Sequence, residues 1–109
     1  MPSRPPQTIA DTATLVTGVA ARHPEVTGVW LFGSRARGDH SETSDFDFYV
    51  EFDYSKLSWT GYAKLISDLE GTLNSDIDLV SGADIAQRSP ILWSQIQKDR
   101  VLLYERQAH

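Results

Sequence analysis

A chain of 109 residues, 40% hydrophobic and 23% charged, holds enough apolar material for one core and too little for a second domain. Its net charge of -5 supplies no basic face for gripping a phosphate backbone, which disfavours direct nucleic-acid binding. Without cysteine there are no disulfides or thiolate-bound zinc, and without a long apolar run or a signal-peptide core the expected address is the cytoplasm, with no membrane contact.

Residues 1–7 carry three prolines and read as a loose lead-in to a single domain over 8–106. Ile9, Ala13, Val16 and Ala20 repeat at helical spacing and Pro24 forbids continuation, which predicts an amphipathic helix over 8–22. The apolar, β-forming run 26–32 predicts a strand ended by the turn signal Gly33-Ser34. A polar spacer over 35–44 then leads into a second strand over 45–52. Alternation there sets Asp45 and Asp47 on one face and Phe46, Phe48 and Val50 on the other.

Further on, Tyr62, Ile66, Leu69 and Leu73 mark a helix, with Ser58 as its cap and Asn74 as its stop. A third strand follows at 77–80. Ser89-Pro90 is a cap followed by a first-turn proline and opens a helix expected to bury Ile91, Leu92 and Ile96. A last short strand is expected over 101–104. The order predicts an α/β (α+β) fold, a small mixed sheet with helices packed on one face.

The chemistry-bearing residues lie between Gly33 and Asp47. Glycine lets backbone N–H groups approach a phosphate closely, and Ser34, opening a short helical turn, adds a hydroxyl beside the partial positive charge of that turn. Ten residues later, Asp45 and Asp47 project side by side at about 7 Å backbone separation, suited to a hard cation such as magnesium. Asp78 joins them if its strand lies beside theirs. In phosphoryl transfer on two metals, one ion lowers the pKa of the attacking hydroxyl and the other steadies the leaving pyrophosphate.

Gly33-Ser34, the ten-residue spacer and Asp45-Phe46-Asp47 resemble the signature of the DNA polymerase beta-like nucleotidyltransferases. More narrowly, the stretch from Leu31 to Asp39 and the later Asp78-Leu79-Val80 are similar to the minimal nucleotidyltransferases that act as antitoxins beside HEPN-domain toxin ribonucleases. The likeness runs from the first helix to the closing strand. It implies that Asp45, Asp47 and Asp78 are catalytic and hold magnesium, two ions in the full complement, with Asp78 also suited to help deprotonate the acceptor. It further implies that Gly33 and Ser34 hold the triphosphate of ATP, that Arg35 and Arg37 steady phosphate charge, and that AMP is transferred to a hydroxyl, expected to be tyrosine, of a HEPN toxin partner. Asp76 departs from the family, in which that place is more often non-acidic, and it is an alternative third acid.

Bland readings stand beside these. An acidic pair on a strand is more often a solvated face, and Gly-Ser is more often an ordinary turn; the ordered spacing of turn, pair and third acid favours a site. A haloacid-dehalogenase reading of Asp76 and Asp78 fails because a helix end, not an apolar strand, precedes them. An EF-hand at Asp45 fails because Val50 stands where glycine is required. His23, His40 and His109 show no ligand spacing and read as surface, while Trp30, Trp59 and Trp93 read as core or interface. Two further readings compete: a catalytically weak or inactive module that neutralises its partner by contact, and transfer to a small molecule or nucleic acid, for which the chain carries no acceptor domain.

Overall fold

Local signals set the element ends in the computed structural model, which describes residues 4–82 and 85–107. Helix α1 (Ile9–Ala20) opens on Thr8, whose hydroxyl accepts from the Asp11 amide at 3.0 Å. Strand β1 (Val26–Phe32) runs into the single-turn helix α2 (Ser34–Arg37), and β2 (Phe46–Phe52) follows the spacer. Helix α3 (Trp59–Leu73) is capped by Ser58 and stopped by Asn74 in a left-handed conformation, φ 53°. Beyond β3 (Ile77–Ser81) come the short α4 (Ile85–Arg88), α5 (Pro90–Asp99) with its Ser89 cap, and β4 (Val101–Glu105).

The four strands lie in the order β3-β2-β1-β4. Pairings of β1 with β2 and β4 are antiparallel, whereas β2 and β3 are parallel, with α3 as their crossover. The sheet is therefore mixed, as expected. Val29, Leu31, Phe46, Phe48 and Val50 pack with Val16 and Val19 of α1 and Leu65, Leu69 and Leu73 of α3 in the main core. Helices do not stop at that one face, contrary to expectation. On the opposite face Phe32 and Tyr49, flanked by Trp30 and Val80, pack with Ile85 and Ile96, because the residues alternating the other way are also bulky and apolar.

Several side chains depart from the sequence reading. Ile91 is 77% exposed, since the buried face of α5 is set by Ile96 and the half-buried Leu92 and Trp93. Trp59, read as core or interface, is 89% exposed at the start of α3 and so lies outside the core. His23, expected at the surface, is buried: Nε2 lies 2.8 Å from Asp68 Oδ2 and Nδ1 lies 3.4 Å from Glu25 Oε2. His40 is half-buried with a shielded Nδ1, and His109 lies outside the described residues. Residues 4–7 are tied down along the spacer, with Arg4 on Glu42 at 3.2 Å and the Pro6 carbonyl accepting from Arg35 at 3.0 Å. Among the described residues no helix is long and apolar enough to cross a membrane.

Candidate active site

The parallel register places Asp47 of β2 directly across from Asp78 of β3. Phe46, Phe48, Ile77 and Leu79 turn into the main core, so alternation sends Asp47 and Asp78 to the opposite face. On its other side Asp47 pairs in register with Phe32, the residue before Gly33, which brings the turn against the acidic strand. Gly33 has φ +77°; a Cβ there would overlap Asp47 Oδ2 and lie 3.1 Å from its Cγ. Glycine is thus required twice, by its backbone conformation and by the carboxylate beside it.

Electrostatics mark the same spot. Asp47 is pushed up to about 6, first by burial, then by the Asp78 charge and the hydrogen bond with Asp78, then by Asp45, with Arg37 opposing. Asp45 is exposed at the entry to β2, close enough to Asp47 and Arg35 to act on both. The carboxylates are a facing pair with a neighbour: no group of three or more His, Asp or Glu side chains is gathered for a metal among the described residues. Asp76 is exposed, and its carbonyl accepts from the Phe46 amide at 3.2 Å, helping to hold β2 and β3 together.

The turn itself is tightly closed. Gly33 O accepts from the amides of Ala36 and Arg37 at 3.1 Å, and Ser34 O accepts from Gly38 and Asp39 at 2.9 and 3.1 Å. The opening amides of such a turn have no acceptor within it.

The two arginines, alike in sequence, have different surroundings. Arg35 is buried: Nε donates to Ser44 O at 2.9 Å, Nη1 to Pro6 O at 3.0 Å and Nη2 to Glu42 O at 3.2 Å, with the guanidinium 4.0 Å over the Phe46 ring. Burial lowers its pKa, with Asp45 opposing. Each of the three nitrogens thus donates to a carbonyl, two of the spacer and one of the lead-in, on the core side of the sheet. Arg37 is exposed at the end of α2, where hydrogen bonds to Asp99 and then Asp39 raise its pKa. No sequence signal singles out Asp99, whose meeting with Arg37 spans 62 positions.

Residues 16–109 match the family model described as polymerase beta, nucleotidyltransferase. A chain of Methanocaldococcus jannaschii named as a candidate protein adenylyltransferase is 37% identical over 78 residues, 71% of this chain and 76% of that one. A crystal structure of a toxin-antitoxin complex with AMP-PNP contains a chain that superimposes with a TM-score of 0.67 at 25% identity, over 87% of this chain and 74% of that one. A complex of a tri-AMPylated HEPN toxin of Shewanella oneidensis with an MNT antitoxin contains another, at a TM-score of 0.63 and 21% identity over 91% and 74% of the two chains, a likeness of fold.

Proposed function

Since the chain belongs to the polymerase beta-type nucleotidyltransferases, we propose that it transfers AMP from magnesium-bound ATP to a hydroxyl, expected to be tyrosine, of a HEPN-type toxin partner in the cytoplasm, and so acts as that partner's antitoxin. The observation that carries this reading is the facing pair Asp47 and Asp78 beside the Gly33 turn. The adenylyltransferase name of the Methanocaldococcus relative and the toxin-antitoxin assembly with AMP-PNP support the choice of nucleotide and partner.

The donor set fits magnesium. Two oxygen-bearing carboxylates, one of them raised first by burial and then by the charge of the other, are what a hard cation relieves, and magnesium characteristically takes one or two carboxylates and completes its shell with water and phosphate oxygens. Asp47 and Asp78 would hold it, with Asp45 contributing from the strand entry. When bound, the ion neutralises charge on the triphosphate and lowers the pKa of the acceptor hydroxyl.

The chain's own residues do the rest. Gly33, lacking a side chain, leaves room for phosphate oxygens to reach the turn, and Ser34 offers its hydroxyl there. Asp78, exposed beside Asp47, takes the proton of the acceptor hydroxyl. The acceptor oxygen then bonds to the α-phosphorus, the bond to the β-phosphate oxygen breaks, and pyrophosphate leaves with its electron pair. The partner supplies the hydroxyl and a wall of the pocket, for which a chain this small has little material.

Neutralisation by contact alone is separated by Asp47→Asn. In cells expressing the partner, the wild-type chain should relieve toxicity and Asp47→Asn, though folded and still bound, should not. Full protection by the variant would transfer the role to contact.

A further inference from the structure

Arg37 is gripped from two sides. Nε donates to Asp39 Oδ2 at 3.2 Å and Nη1 to Asp99 Oδ2 at 2.9 Å, while Nη2 has no partner among the described residues. Asp39 is 61% exposed on the spacer, whereas the Asp99 side chain, 17% exposed, is the fixed anchor. Asp99 is also the last residue of α5. The helix dipole makes that end negative, so it favours a cation and disfavours a carboxylate. Helix α5 gains nothing locally from an acid there, which leaves its cross-chain contact as the reason for its place.

We propose that Asp99 is a positioning residue of the nucleotide site: it holds the Arg37 guanidinium beside the Gly33-Ser34 turn with the Nη2 edge directed to a phosphate oxygen of the bound nucleotide. This rests on the nucleotide reading of the site above. Arg35 is excluded from that part because it is buried over Phe46 on the core side of the sheet, with Nε, Nη1 and Nη2 each donating to a carbonyl, of Ser44, Pro6 and Glu42. Arg37 lies within electrostatic reach of Asp47, hence of the acidic pair. Anchoring a long, flexible side chain in advance reduces the entropy lost when it meets its ligand.

Calorimetric binding of magnesium-AMP-PNP to the purified full chain tests this with Arg37→Ala, Asp99→Ala, Asp99→Asn and the double alanine variant. Arg37→Ala should weaken binding about tenfold, the scale of one charge-assisted hydrogen bond. Asp99→Ala should weaken it about three- to fivefold, as loss of a half-exposed ion pair allows. The double variant should bind no worse than Arg37→Ala alone, because Asp99 acts only through Arg37. Ligand-free melting of Asp99→Ala should not fall, which a merely structural residue would not permit. Asp99→Asn, nearly isosteric, keeps the comparison if the alanine variant folds poorly.

Normal binding by both Asp99 variants while Arg37→Ala is impaired would overturn the positioning role and leave the nucleotide reading intact. Additive losses in the double variant would also overturn it. Normal binding by Arg37→Ala would remove Arg37 from the phosphate and the inference with it. Failure of the wild-type chain to bind magnesium-AMP-PNP would instead remove the nucleotide reading on which it rests.

Discussion

Asp47 stands across the parallel β2–β3 pairing from Asp78, and burial together with the facing carboxylate makes Asp47 hold its proton more tightly than a free, solvated aspartate does. Its pKa of about 6 lies above the ordinary carboxylate range. The folded state therefore holds this proton more tightly than the unfolded chain. Stability contributed by it is full below the unfolded pKa and is lost as pH rises through the folded value. In EDTA, stability should fall between about pH 4 and pH 6 relative to Asp47→Asn, by an amount on the order of 3 kcal/mol, and the melting temperature should fall with it. At neutral pH the variant should be the more stable of the two. Thermal scans of both proteins across that window check this, and superimposable profiles would mean that the pair is not strained.

Gly33→Ala combines two costs. The backbone at φ 77°, ψ -158° lies in a region essentially reserved for glycine and penalises any side chain by about 1–3 kcal/mol, and the new methyl group overlaps Asp47 Oδ2. Asp47 can swing away, so the larger loss should fall on the acidic pair rather than on the fold. Magnesium-AMP-PNP affinity should drop by at least tenfold while the ligand-free protein stays folded, with a melting temperature a few degrees lower. A variant with native affinity would free the turn of any role beside Asp47.

How much of this was legible in the sequence depended on the range of the signal. Val26–Phe32, the Ser58 cap, the Asn74 stop and Ser89-Pro90 are local features, and the structure places elements on all of them. Asp47 and Asp78 were legible by type and parity, but their meeting required a strand order that periodicity does not carry. Arg35 and Arg37 look interchangeable two positions apart, and only contacts with Pro6 and Asp99, 29 and 62 positions away, divide them. His23 was misread for the same reason, since its closer partner Asp68 is 45 positions on. Helix α4 was missed because four residues carry no period, and Ile91 because a helix's apolar residues do not reveal which of them meets the sheet.

Arg35→Ala should be a stability variant. It leaves the carbonyls of Pro6, Glu42 and Ser44 without their donor and uncovers the Phe46 ring, a loss of about 2–4 kcal/mol. Lysine should rescue only part of this, because an ammonium cannot match a planar fork across three acceptors. Denaturant unfolding gives the magnitude, and hydrogen exchange should show faster exchange over residues 39–44. An Arg35→Ala chain of native stability but lost nucleotide affinity would return this residue to the phosphate site.

The most direct test of the account is the mass of the partner. Purified toxin incubated with this chain, ATP and magnesium should gain whole adenylate increments in an intact-mass spectrum, with peptide mapping placing them on a hydroxyl side chain. The gain should vanish with Asp47→Asn and with EDTA. A stable complex in which the partner's mass never changes under these conditions, while Asp47→Asn protects cells as well as the wild-type chain, would contradict nucleotidyl transfer as this protein's role.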